Sequence, residues 1–93
     1  MKKILITGGA GFVGRYFTKY FLDQKYKVYV VDNIAQYTGA REPNNWPLFL
    51  PQDYKNFIFH KQDCRDWFIS NFIDDFDYVL HLAAMVGGRM MIE

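Results

Sequence analysis

The chain has 93 residues, which leaves room for one small domain. Hydrophobic residues make up 51% of it and aromatic residues 19%, a composition that supports a packed core and excludes a disordered polymer. A formal net charge of +1 gives no basis for nucleic acid or an anionic membrane as the main partner, and the lone cysteine, Cys64, excludes an internal disulfide.

The first element is a short apolar run, Ile4-Leu5-Ile6, inside residues 2–7. It follows Met1-Lys2-Lys3 but is too short for a signal-peptide core, and no run approaches a membrane span. Together with the single cysteine, this predicts a cytoplasmic protein. The run reads as a buried parallel strand. From Gly11 to about Gln24, Phe12, Val13, Tyr16, Phe17, Tyr20, Phe21 and Leu22 recur at helical spacing, while Arg15, Lys19 and Asp23 fall between them and should face water. Residues 27–32 form a second strand, Lys27-Val28-Tyr29-Val30-Val31, ending in Asp32. This is one βαβ unit, expected to be right-handed.

Residues 33–56 contain Gly39, Pro43, Asn44, Asn45, Pro47 and Pro51, which break regular structure. A partly ordered excursion is expected, with a helical turn near 51–55, and its aromatics, Trp46 and Phe49 among them, covering the sheet edge. A third strand follows at Phe57-Ile58-Phe59-His60-Lys61, then a helix over roughly 65–73 with Trp67, Phe68, Phe72 and Ile73 on one face. Asp74, Asp75 and Asp77 lead into a fourth strand, Tyr78-Val79-Leu80-His81-Leu82, and Ala83-Ala84 continue it. Four parallel strands so connected give the order 3-2-1-4, an α/β Rossmann-type sheet with its crevice between the carboxyl ends of strands one and four.

One stretch carries the functional signal: Thr7-Gly8-Gly9-Ala10-Gly11-Phe12-Val13-Gly14, lying between a strand and a helix. Gly8 permits a tight turn, Gly11 lets backbone approach a pyrophosphate, and Gly14 lets the helix pack closely. The unpaired N–H groups and dipole of the helix start then face an anion. Asp32 stands eighteen positions after Gly14, where an acidic residue binds the adenosine ribose hydroxyls. Its charge repels a 2′-phosphate, so NAD is expected over NADP. Arg41 could favour a phosphate, but the sequence does not fix its position.

Thr7-Gly8-x-x-Gly11-x-x-Gly14 with Asp32-Asn33 resembles the start of the extended short-chain dehydrogenase/reductases, and among them the NAD-dependent sugar-nucleotide epimerases and dehydratases. The resemblance implies that Asp63 bonds the adenine amino group and that the backbone of Cys64 contacts the ring. From the residues alone, Asp63 reads as a helix cap, with Asp66 the other candidate. The resemblance also implies that Leu82, Ala83 and Ala84 lie against the cofactor, and that Gly87-Gly88-Arg89 approach the sugar nucleotide. The cofactor-binding set is therefore Gly8, Gly11, Phe12, Val13, Gly14, Asp32, Asn33, Asp63, Cys64, Leu82, Ala83 and Ala84. Cys64 has no evident activating partner, and His81 reads as structural.

Catalysis in the resembling family uses a Tyr-x-x-x-Lys pair and a serine or threonine on later elements. No tyrosine here has a lysine four residues on. The chain thus reads as the cofactor-binding opening of an enzyme whose catalytic and sugar-nucleotide-binding parts lie elsewhere. The alternative reading is a non-catalytic dinucleotide-binding module. An unpaired edge on the fourth strand predicts self-association of the chain or exchange of segments between copies.

Overall fold

The computed structural model describes residues 1–35, 39–71 and 75–83. Its centre is β1, Lys3–Thr7, in which Ile4, Leu5 and Ile6 are all but inaccessible to solvent. A strand buried on both faces cannot alternate polar and apolar residues, which explains the continuous apolar run. Burying each of these side chains contributes about 1.5–3 kcal/mol. β1 pairs in parallel with β2, Lys27–Asp32, on one side and with β4, Tyr78–His81, on the other. β3, Phe57–Lys61, pairs in parallel with β2, so the sheet order is β3-β2-β1-β4, as the connectivity predicted.

Alternation along β1 divides the core in two. Ile4 and Ile6 face one side, packing with Val28, Val30 and Leu22 of α1, Phe12–Asp23. Leu5 faces the other, with Val31, Cys64 and Trp67 of α2, Cys64–Ser70. Each face of the sheet is thus covered by a helix.

The helix α1 does not bury the side chains that its apolar spacing suggested. Its buried residues are Gly14, Thr18 and Leu22, whereas Phe12, Val13, Tyr16 and Tyr20 are exposed and only Phe17 and Phe21 lean on the core. Small residues at positions 14 and 18 let the helix axis approach the sheet, and this rotates the bulkier stripe outwards. Thr18 Oγ1 donates to Gly9 O at 3.4 Å, which ties the helix to the turn before it.

The excursion after β2 contains two short 3-10 turns, Pro43–Asn45 and Pro51–Asp53, the second where a helical turn was expected. Trp46 is buried, edge-on to both Phe49 and Phe57, so these rings cover the β3 side of the sheet as expected. The helix expected over 65–73 begins one residue earlier, at Cys64, because Asp63 rather than Asp66 caps it, and it ends at Ser70. β4 ends at His81, and Leu82 lies just past it. Phe72, Ile73, Asp74, Ala84, Gly87, Gly88 and Arg89, to which expectations were attached, lie outside the described residues.

Candidate functional site

At the carboxyl end of β1 the chain turns sharply at Gly8, which has a φ of 72° in the left-handed region that disfavours a Cβ. A Cβ there would also stand 2.8 Å from the Ala83 nitrogen and 2.9 Å from the Leu82 carbonyl carbon. The ends of β1 and β4 approach this closely because Leu82 N donates to Thr7 O at 2.9 Å, while Gly8 N donates to Val31 O at 2.8 Å. The buried Thr7 hydroxyl lies 2.6 Å from His81 Nδ1 and accepts from Ala83 N at 3.4 Å. His81 is thereby joined to the strand ends, in keeping with a structural role.

Gly11 is the N-cap of α1, in extended conformation, and offers no side-chain cap. The first turn carries no acidic residue, so neither a cap nor a carboxylate competes for an anion at this helix start. Gly14 sits one turn in, where a Cβ would fall 2.2 Å from Gly8 O and 2.5 Å from Gly9 Cα. The helix therefore packs directly on its own glycine turn. The side chains of Phe12 and Val13 point outwards and are exposed.

Asp32, at the end of β2, is 8% exposed. Its Oδ2 accepts from Ala10 N at 3.0 Å and its Oδ1 from Ile34 N at 2.8 Å. A carboxylate offers about four lone-pair sites, so each oxygen keeps capacity for another donor. Asn33 beside it is exposed.

Asp63 caps α2 by accepting from Arg65 N at 2.8 Å, and its carboxylate also receives Arg65 Nε at 3.1 Å and Nη2 at 2.9 Å. The Arg65 side-chain and backbone bonds hold the Asp63 carboxyl down to about 2. Cys64 is buried, and this burial, then the Asp63 charge, pushes its thiol up from the ordinary value. A nucleophilic thiolate is not what this environment favours. Leu82 leans on the α1-side core and Ala83 on the α2-side core. Among the described residues no group of His, Cys, Asp and Glu could hold a metal ion, and no helix is long and apolar enough to cross a membrane.

One participant was missed. Arg15 was expected to face water, yet its Nη1 donates to Ala10 O and to Gly39 O, each at 2.9 Å. Arg41 also settles here, its N–H donating to Ala10 O at 3.1 Å. No local pattern signals either contact, because both depend on how the excursion after β2 returns to the glycine turn.

A parallel sheet of order 3-2-1-4 between two helices, with a glycine turn and an acidic strand end meeting at its carboxyl edge, defines a Rossmann-type fold. The chain belongs to the GDP-mannose 4,6 dehydratase family, whose model matches residues 5–89. It is 35% identical to an uncharacterised protein of Methanocaldococcus jannaschii, covering 99% of this chain and 29% of that protein. Among solved structures it is similar to the UDP-glucuronic acid 4-epimerase of Bacillus cereus in complex with NAD, with a TM-score of 0.73 and 32% identity over 95% of this chain and 28% of that one. The dTDP-glucose 4,6-dehydratase of Bacillus anthracis, also in complex with NAD, gives a TM-score of 0.69 and 31% identity, covering 90% of this chain and 27% of that one. The chain therefore spans less than a third of the length of each of these proteins.

Proposed function

We propose that the chain is the NAD-binding portion of an NAD-dependent sugar-nucleotide epimerase or dehydratase. The observation that carries this reading is the direct bond between Asp32 Oδ2 and Ala10 N, which sets a ribose-binding carboxylate against the glycine turn. The residues fit the cofactor: the helix start at Gly11 lacks a competing acid, and Asp32 keeps acceptor capacity beside the glycine turn.

In this reading the backbone of Gly11, Phe12 and Val13 receives the pyrophosphate, with Gly8 making the turn and Gly14 letting the helix pack on it. Asp32, beside Asn33, accepts the adenosine ribose hydroxyls with its remaining lone pairs and repels a 2′-phosphate. Asp63 bonds the adenine amino group while capping α2, with the Cys64 backbone alongside. Leu82, Ala83 and Ala84 contact the cofactor. Bound NAD supplies reversible hydride acceptance at a sugar carbon. This chain's own residues bind and orient, and none is assigned to proton transfer. The sugar-nucleotide site and the catalytic groups are those of the remainder of such an enzyme, in the cytoplasm.

A non-catalytic dinucleotide-binding module is the second reading. Calorimetric titration of the chain with NAD and with NADP tests what the two readings share. Saturable NAD binding, tighter than NADP and weakened by Asp32→Ala, supports a working cofactor site; a folded chain that binds neither contradicts it. Hydride exchange with a sugar nucleotide, once the chain is completed by a partner carrying the catalytic pair, separates the two.

A further inference from the structure

Arg15 leaves the first turn of α1 and bridges two loops that are distant in sequence. Through Nη1 it holds the carbonyls of Ala10, in the glycine turn, and Gly39, in the segment after β2. Arg41 N binds the same Ala10 carbonyl, and Arg41 O accepts from Trp46 Nε1 at 2.7 Å. Trp46 is buried between Phe49 and Phe57, so this end of the arrangement is anchored in the core. On its other side Ala10 gives its N–H to Asp32. Ala10 is thus held between a carboxylate at its nitrogen and two arginines at its oxygen.

Holding the guanidinium here is opposed by two effects. Its burial, and then the positive charge of Arg41, both lower the Arg15 pKa. A side chain serving only solubility would extend into water instead. The planar guanidinium suits the task, since Nη1 donates to both carbonyls in fixed geometry.

We propose that Arg15 is a positioning residue for recognition of the adenosine ribose: by clamping Gly39 O and Ala10 O together, it fixes residue Ala10 from its carbonyl side, and the Ala10 N–H orients the Asp32 carboxylate. The proposal rests on the reading of this crevice as an NAD site. Its consequence is specific to one chemical group. Loss of the clamp frees Ala10 to shift, and the carboxylate bonded to its N–H shifts with it, which degrades reading of the 2′-hydroxyl more than binding of the phosphates.

The test is a calorimetric comparison of ADP with 2′-deoxy-ADP on the full 93-residue chain and on Arg15→Met and Arg15→Lys. The unaltered chain is expected to prefer ADP by about tenfold, the scale of one hydrogen bond to a charged group. Arg15→Met should reduce that preference to within about twofold, with ADP affinity falling towards that of the deoxy compound. Arg15→Lys, whose ammonium can donate but sits on a flexible stem without the planar guanidinium's fixed geometry, should fall between them, and it carries the test if Arg15→Met does not fold. Thermal melting without ligand monitors any general loss of structure. The proposal is overturned if both variants keep the full preference, or if they weaken both nucleotides equally. A folded, unaltered chain that binds neither nucleotide overturns the cofactor reading itself, and the role of Arg15 with it.

Discussion

Asp32 Oδ2 lies 3.0 Å from the amide nitrogen of Ala10, so the acid that ends β2 is bonded to the turn that follows β1. The two were linked in the sequence only by their spacing. In the fold the same carboxylate also accepts from Ile34 N, which fixes the exit of the chain from β2. Asp32→Ala therefore removes the acceptor from two amides at once. The expected cost is about 1–3 kcal/mol in denaturant unfolding, together with at least a tenfold loss of NAD affinity. NADP affinity should fall less, since the repelling charge leaves with the bonds; titration with both nucleotides reads the ratio.

Gly14 and Gly39 differ in what an added methyl would meet. At Gly14 a Cβ would stand 2.2 Å from Gly8 O, a backbone atom that moves only if the turn moves. Gly14→Ala should cost at least the upper end of the about 1–3 kcal/mol seen for overpacking, and should weaken NAD binding as the turn shifts. Gly39 has a φ of 78° with open space around the Cβ position. Gly39→Ala should cost only about 1–2 kcal/mol, from the left-handed backbone alone. Urea unfolding of the two variants side by side checks the order.

Asp63 is a carboxylate lowered from 3.8 to about 2, chiefly by the Arg65 side-chain bond and then by the Arg65 backbone bond. Its folded pKa lies below its unfolded one, so its contribution to stability is present above about pH 4 and is lost as the pH falls towards 2. Arg65→Ala should raise the Asp63 midpoint towards the ordinary carboxylate range, followed by carbon-detected NMR titration. It should also flatten the pH dependence of unfolding in that window. A midpoint unchanged by the substitution would mean that Arg65 is not the cause.

β4 pairs with β1 along one side, and its Tyr78 and Val79 side chains are exposed. An apolar groove between β4 and Phe17 and Phe21 of α1 adjoins this edge. Edges of this kind attract other strands. Sedimentation equilibrium is expected to show an average mass that rises with concentration, and Val79→Lys should lower it. A monomeric mass throughout would contradict self-association through this edge.

Much of this fold is written in local chemistry. The continuous Ile4-Leu5-Ile6 run specifies a strand buried on both faces, and the glycines specify a turn that few other residues can make. The strand order then follows from the handedness of parallel connections. Asp32 is legible for the same reason, because a fixed βαβ geometry fixes its distance from the turn. What escaped was tertiary. Phe12, Tyr16 and Tyr20 keep the spacing of a core stripe, yet Gly14 and Thr18 face the sheet, since closeness of approach outweighs apolar bulk at that contact. Arg15 carries no pattern at all, because its partners are carbonyl groups, which every residue possesses. Asp63 was legible as a cap, whereas its Arg65 side-chain pairing depends on a rotamer that the sequence does not specify.

The central claim is that the glycine turn and Asp32 form one cofactor site in this chain. The most direct measurement is an amide NMR titration with NAD. Shifts concentrated at Gly8, Ala10, Gly11, Phe12, Val13, Gly14, Asp32 and Ala83, saturating together, are the predicted result. Saturable shifts confined to β3 and the far end of α1, or no shifts in a folded sample, would contradict it.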